Sequence, residues 1–145
     1  MEERTVSPDT AEINLSPEAF HKWARQFHEC GLAFSNPGEF SPVPYFLCTR
    51  AIELELKSRH LVARRQKEVK HEYKHDVDRL YSDLPADQRI LTDSDLDILR
   101  IANELYMSKA FEYFAPYDAL TAFKRFPDLT ALRRIASMLL ENHYP

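Results

Sequence analysis

The sequence predicts an all-α fold. Only two glycines occur in 145 residues, too few for a fold rich in tight hairpins. Apolar residues recur at helical spacing over four long stretches. Helix-capping residues stand where such stretches begin, Ser16 before one and Thr92 or Ser94 before another. The length suits one domain with a real core, so a single helical domain is expected over residues 16–145, preceded by a flexible arm over residues 1–15 that is polar and rich in turn formers.

The first helix opens at Ser16 and Pro17, with Phe20, Trp23, Ala24 and Phe27 on its buried face. Gly31 suits its C-cap. The second starts near Pro44 and reaches Leu61, extending toward Glu68 in its longest form. Leu47, Ala51, Leu54, Ser58 and Leu61 form one stripe, widened by Tyr45, Cys48, Ile52 and Leu56, as fits a central helix. A short helix carries Val77, Leu80 and Tyr81 and ends before Pro85. A long one has Asp93, Asp95 and Asp97 at its start, where negative charge favours the helix dipole. It presents Leu96, Leu99, Ile101, Ala102, Leu105, Tyr106, Ala110, Phe111 and Phe114 inward, until Pro116 stops it. The last runs from about Pro127 to Asn142. The sum is four long helices plus one short helix.

Composition excludes several functions. The net charge of −4 gives the chain as a whole no pull toward nucleic acid. Gly31 and Gly38 match no phosphate-binding loop or dinucleotide fingerprint. Cys30 and Cys48 are too few and too widely separated for a zinc knuckle or a redox pair, and read as free thiols in a reducing compartment. No apolar signal core opens the sequence and no run approaches membrane-spanning length, so a cytoplasmic protein with no membrane contact is expected. No cofactor and no metal is expected.

The stretch RAIELELKSRHL, Arg50 to Leu61, threads charge through leucines. Glu53 precedes Lys57 by four residues and Glu55 precedes Arg59 by four, the favourable order on a helix. As exposed pairs, each would contribute about 0.3–0.5 kcal/mol. Read this way, the stretch is an amphipathic helix with a salt-bridged outer side.

The same stretch resembles something more specific. AIELELK (Ala51 to Lys57) is similar to the signature of HEPN-family domains, and KHDVDRL (Lys74 to Leu80) to the His-Asp-apolar-x-x-Leu motif of that family. The resemblance covers roughly Ser16 to Phe114. It implies an up-and-down bundle of four or five helices that often dimerises. Family members are either metal-independent ribonucleases, often of toxin or defence type, or non-catalytic domains that bind nucleotides, RNA or proteins. Glu53, Lys57, His75 and Asp76 are then the expected ligand-binding residues.

The catalytic members carry an arginine and a polar residue, then histidine after four to six more. Histidine serves as acid or base and arginine stabilises phosphorane charge. Arg65 and His71 meet the spacing, as do Arg64 and His71, but they lie between the two signature motifs rather than on a later helix. The penultimate helix holds Arg100 and no histidine, and Arg134 and His143 are too far apart. The expected function is therefore a non-catalytic, dimeric domain binding a nucleotide, RNA or protein. Alternatives are a ribonuclease using Arg65 and His71, and a structural adaptor.

Two charged stretches adjoin. Lys57, Arg59, Arg64, Arg65, Lys67, Lys70 and Lys74 form a basic run, a candidate footprint for nucleotide or RNA. Asp76, Asp78, Asp83, Asp87, Asp93, Asp95 and Asp97 form an acidic one that subunit pairing could match to it. Solvated, mutually offsetting surface charge explains both equally. His71 and His75 have zinc-compatible spacing beside Glu68, Glu72 and Asp76, but a closed site needs further ligands. Among the C-terminal aromatics, Tyr113, Tyr117 and Phe123 are candidates for an exposed partner surface.

Overall fold

Ser16 starts the first helix, its hydroxyl accepting the Ala19 N–H at 3.2 Å. The computed structural model describes residues 16–35, 38–113 and 115–143. The arm expected over residues 1–15, and Phe114, lie outside them. The first helix, α1, is Pro17–Ala33. Gly31 lies inside it rather than capping it. A Cβ there would sit 3.5 Å from the Leu47 Cβ, an ordinary contact, so glycine is not required by crowding.

The second helix, α2, is Val43–His60. Every residue from Ala51 to Arg59 is buried, because α2 has α1 on one side and helices from later in the chain on the others. The salt-bridged outer side expected of this helix is absent: Glu53 and Glu55 are both fully buried.

The chain turns at 61–64 and does not extend α2 toward Glu68. Two short helices then occur where one was expected, α3 at Gln66–Tyr73 and α4 at Val77–Ser82. The break falls at Lys74, whose φ of 52° and ψ of −107° no helix can accommodate. For a non-glycine residue such a conformation costs about 1–3 kcal/mol. Asp76, two residues on, holds the break in place. It caps α4, accepting the Arg79 N–H at 3.2 Å, and also accepts from the Asn103 amide at 3.0 Å.

The next long helix, α5, is Asp93–Met107. Thr92 and Asp95 form a reciprocal capping box at its start. It ends before the expected Pro116, since the chain turns through Lys109 at φ 62°. Pro116 instead opens a short helix, α6, Pro116–Leu120. Phe111 stays in the core from beyond the helix end, while Ile101 is 40% exposed. The last helix, α7, is Leu129–Glu141, capped by Asp128. Leu132, Ile135, Ala136 and Leu139 face inward at helical spacing.

Around α2 pack α1, α4, α5 and α7, with α7 also touching α1 and α5. Seven α-helices and a 3-10 turn at Ala86–Gln88 make up the regular structure of the described residues, with no strand among them. The fold is all-α. No helix among the described residues is long and apolar enough to cross a membrane.

Candidate functional site

Residues two apart on a helix point about 200° from one another. Glu53 and Glu55 therefore leave α2 on nearly opposite sides, and each gathers its own partners. Burying an ionised carboxylate costs several kcal/mol unless donors surround it. Both have them.

Glu53 lies 2.8 Å from the Lys57 ammonium and 2.9 Å from the Arg50 guanidinium. The Tyr106 hydroxyl, from α5, donates to the same carboxylate. His75 brings Nδ1 to 2.9 Å. Burial pushes the Glu53 carboxyl up, but Lys57, Tyr106 and Arg50 outweigh it and hold it below the usual carboxylate range. Glu53 is thus ionised, and only a protonated Nδ1 satisfies the contact with His75. That leaves Nε2 as the ring nitrogen available to a ligand. The carboxylate has the opposite effect on Tyr106. Burial and Glu53 together push the phenol well above its ordinary value, so it stays a donor.

His75 and Lys57 open onto a groove of about 1110 Å³ between α1, α2 and α3. One wall is aromatic: Phe20, Trp23 and Phe27 of α1. The buried face expected for α1 is thus only partly buried, and Trp23 stays 40% exposed because α3 stands off from it across the groove. The other wall carries Lys67, Lys70, His71 and Lys74, with Arg50 and Lys57 on the α2 side and one acid, Glu68. A smaller cleft of about 270 Å³ shares Arg50, Lys74 and His75 and reaches Tyr106.

Of the residues singled out in the sequence, Lys57 and His75 line this groove, and Glu53 is buried behind them, in contact with both. Asp76 does not line it; it serves as the α4 cap. His71 lies exposed on α3 and lines the groove, whereas Arg65 is the exposed N-cap residue of α3 and is not among the lining residues. With Arg65 ahead of the first turn and His71 in the last, the pair shares no face. The His71–His75 spacing brings no third metal donor to it among the described residues, since Lys74 breaks the helix between them.

Nor is the basic run one surface. Arg59 turns to the opposite side of α2, with its Nε 3.4 Å from Glu55, and Arg64 pairs with Glu72. The acidic run is largely structural. Asp78 meets Arg100 at 3.5 Å, Asp83 accepts from Tyr73 at 2.7 Å, and Asp95 meets Arg134 at 2.9 Å. Cys48 is buried, and burial pushes its thiol up to about 12, which makes it an inert packing group; Cys30 is exposed. Tyr113 and Tyr117 are 67% and 65% exposed, whereas Phe123 stacks on Phe40 at 3.7 Å.

The sequence pattern places Arg50 on one polar stripe with Glu53 and Lys57, but does not reveal Tyr106 as a partner of Glu53, or His21 and His143 as partners of Glu55. Tyr106 stands 53 residues on, and no local pattern links it to Glu53.

Comparison of the chain with protein-family models, with curated proteins and with solved structures gave no match.

Proposed function

We propose that the chain is a HEPN-like, non-catalytic domain of the cytoplasm, four long helices running up and down with shorter ones between, which dimerises and binds a nucleotide or a short RNA segment in the α1–α2–α3 groove. The observation that carries this reading is the pairing of walls. An exposed tryptophan beside Phe20 and Phe27 faces a bank of lysines. Stacking on aromatic rings is worth about 1–3 kcal/mol per base and needs no particular base. Lysines supply phosphate contacts whose strength falls with salt. Lys57 and Arg50 are already neutralised in part by Glu53, so Lys70 and Lys74 are the residues proposed to meet phosphate.

Trp23 is the only tryptophan in the chain, so its fluorescence reports on the groove directly. Titration with ATP and with a short single-stranded RNA should quench it saturably. Trp23→Phe, studied by equilibrium dialysis, should retain part of the binding, and Lys70→Ala with Lys74→Ala should weaken it and flatten its salt dependence. Absence of saturable quenching by either ligand would remove the proposal and favour a protein partner.

A second reading, a metal-independent ribonuclease, has one specific observation in its favour. His75 is oriented by a buried carboxylate and offers Nε2 at the groove. Cleavage of an RNA pool in chelator would support it. Its loss in His75→Ala, or instead in His71→Ala with Arg65→Ala, would tell which histidine acts.

A further inference from the structure

We propose that His21, Glu55 and His143 bind one divalent transition-metal ion, zinc being the ion this donor set suits best. The site stands apart from the groove, on the other side of α2. Glu55 is fully buried, and Nδ1 of His21 lies 2.6 Å from one of its oxygens while Nδ1 of His143 lies 2.6 Å from the other. All three donor atoms fall within 4.8 Å of one another. The two imidazoles stack with centroids 3.7 Å apart and planes 20° from parallel. One comes from α1 and the other from just beyond α7, so three separated segments converge their ligating atoms on one point.

Arg59 already sets a guanidinium against Glu55, its Nε at 3.4 Å, and that side chain is 1% exposed. Beside it, two imidazoles present the same nitrogen, Nδ1, to the one carboxylate. Two histidines and a glutamate are a known zinc donor set. With bonds of about 2.0–2.1 Å, tetrahedral ligands stand roughly 3.3 Å apart. An ion held between either imidazole and its carboxylate oxygen therefore spreads that pair by less than about 1 Å. His21 and His143, with side chains 21% and 14% exposed, have room to yield.

Arg59 also organises the site from behind. Its Nη2 donates to the Leu139 carbonyl at 2.6 Å and to that of Asn142 at 3.3 Å, fixing the end of α7 that delivers His143. Such outer contacts set ligand geometry. A cleft of about 320 Å³ adjoins His21 and gives solvent access beside it, lined by Glu29 and Glu141 together with Arg25. Three protein ligands leave a fourth position for water. Binding requires each imidazole to carry its hydrogen on Nε2, leaving Nδ1 to the metal.

The test is a titration of zinc chloride into the chelator-stripped full chain against a chromogenic competitor. Wild type should bind one zinc per chain. His21→Ala and His143→Ala should each weaken binding by more than about a hundred-fold, beyond what loss of an outer contact would cost. Cys30→Ser, which removes the exposed thiol, should leave it unchanged. Zinc should also raise the wild-type melting temperature, and that rise should be lost in His21→Ala. Should His143→Ala lose its helices by circular dichroism, His21→Ala decides the question, since His21 is partly exposed on a long helix. No zinc bound by wild type, or equal affinity in folded His21→Ala, would overturn the proposal.

Discussion

Glu53 and Glu55 stand two residues apart on α2, both fully buried, and share no partner. Glu53 ties α2 to the loop before α4 and to α5. Glu55 ties it to α1 and to the end of α7. One helix thus fixes four other parts of the chain through two carboxylates, because helical geometry sends alternate side chains to opposite sides.

Removing Glu53 leaves Arg50 and the largely buried Lys57 without their counter-charge at the wall of the groove. Truncating one partner of a buried ion pair costs about 3–5 kcal/mol. Glu53→Ala should lose that much in urea unfolding at pH 7. Tyr106→Phe should lose about 1.5–3 kcal/mol, the worth of a hydrogen bond to a charged group. The two losses should not add, since both remove the same contact.

Acid should unfold the chain through the same residue. The Glu53 carboxyl is held below its ordinary 4.5 in the folded state. A depressed carboxylate adds stability that is present above the unfolded value and is lost as pH falls through the folded one. Asp95 and Asp118 are depressed from an ordinary 3.8, so they act in the same sense at slightly lower pH. Stability measured by denaturant should therefore decline below about pH 4.5, and Glu53→Gln should show a shallower decline over that range.

Asn103 joins α5 to the start of α4. Its buried side chain accepts the Val77 N–H at 2.9 Å and donates to Asp76 at 3.0 Å. Asn103→Leu should cost about 1–3 kcal/mol by leaving that N–H unsatisfied. Hydrogen exchange should show the Val77 amide losing protection, with α1 little affected.

Dimerisation is best probed at α6. Leu120 is 85% exposed beside Tyr117 at 65%. Light scattering should give twice the 17.0 kDa of one chain, and Leu120→Glu should return the single-chain mass. A wild-type monomer at high concentration would discard this part of the proposed function.

The helices themselves were legible because their signals are local. Ser16 caps where the sequence puts it, Thr92 is the one of the two offered residues that caps α5, and Leu132, Ile135 and Leu139 bury at helical spacing. The break at Lys74 was not legible, since a strained conformation at a lysine carries no sequence signal and is held by Asp76 and Asn103. Nor was the early end of α5. In the site, Glu53 and Lys57 were visible as a pair by their spacing. Their burial was not, because a charge ladder has the same spacing inside a protein as on its surface.

The amino-acid sequence by itself determined the all-α class, most helix starts and the charged run on α2. Tertiary structure alone decided that both glutamates are interior and which residues surround each. His21 and His143 lie 34 and 88 residues from Glu55. Periodicity reaches only a few turns along one helix, whereas burial and partnership depend on which helices close around it.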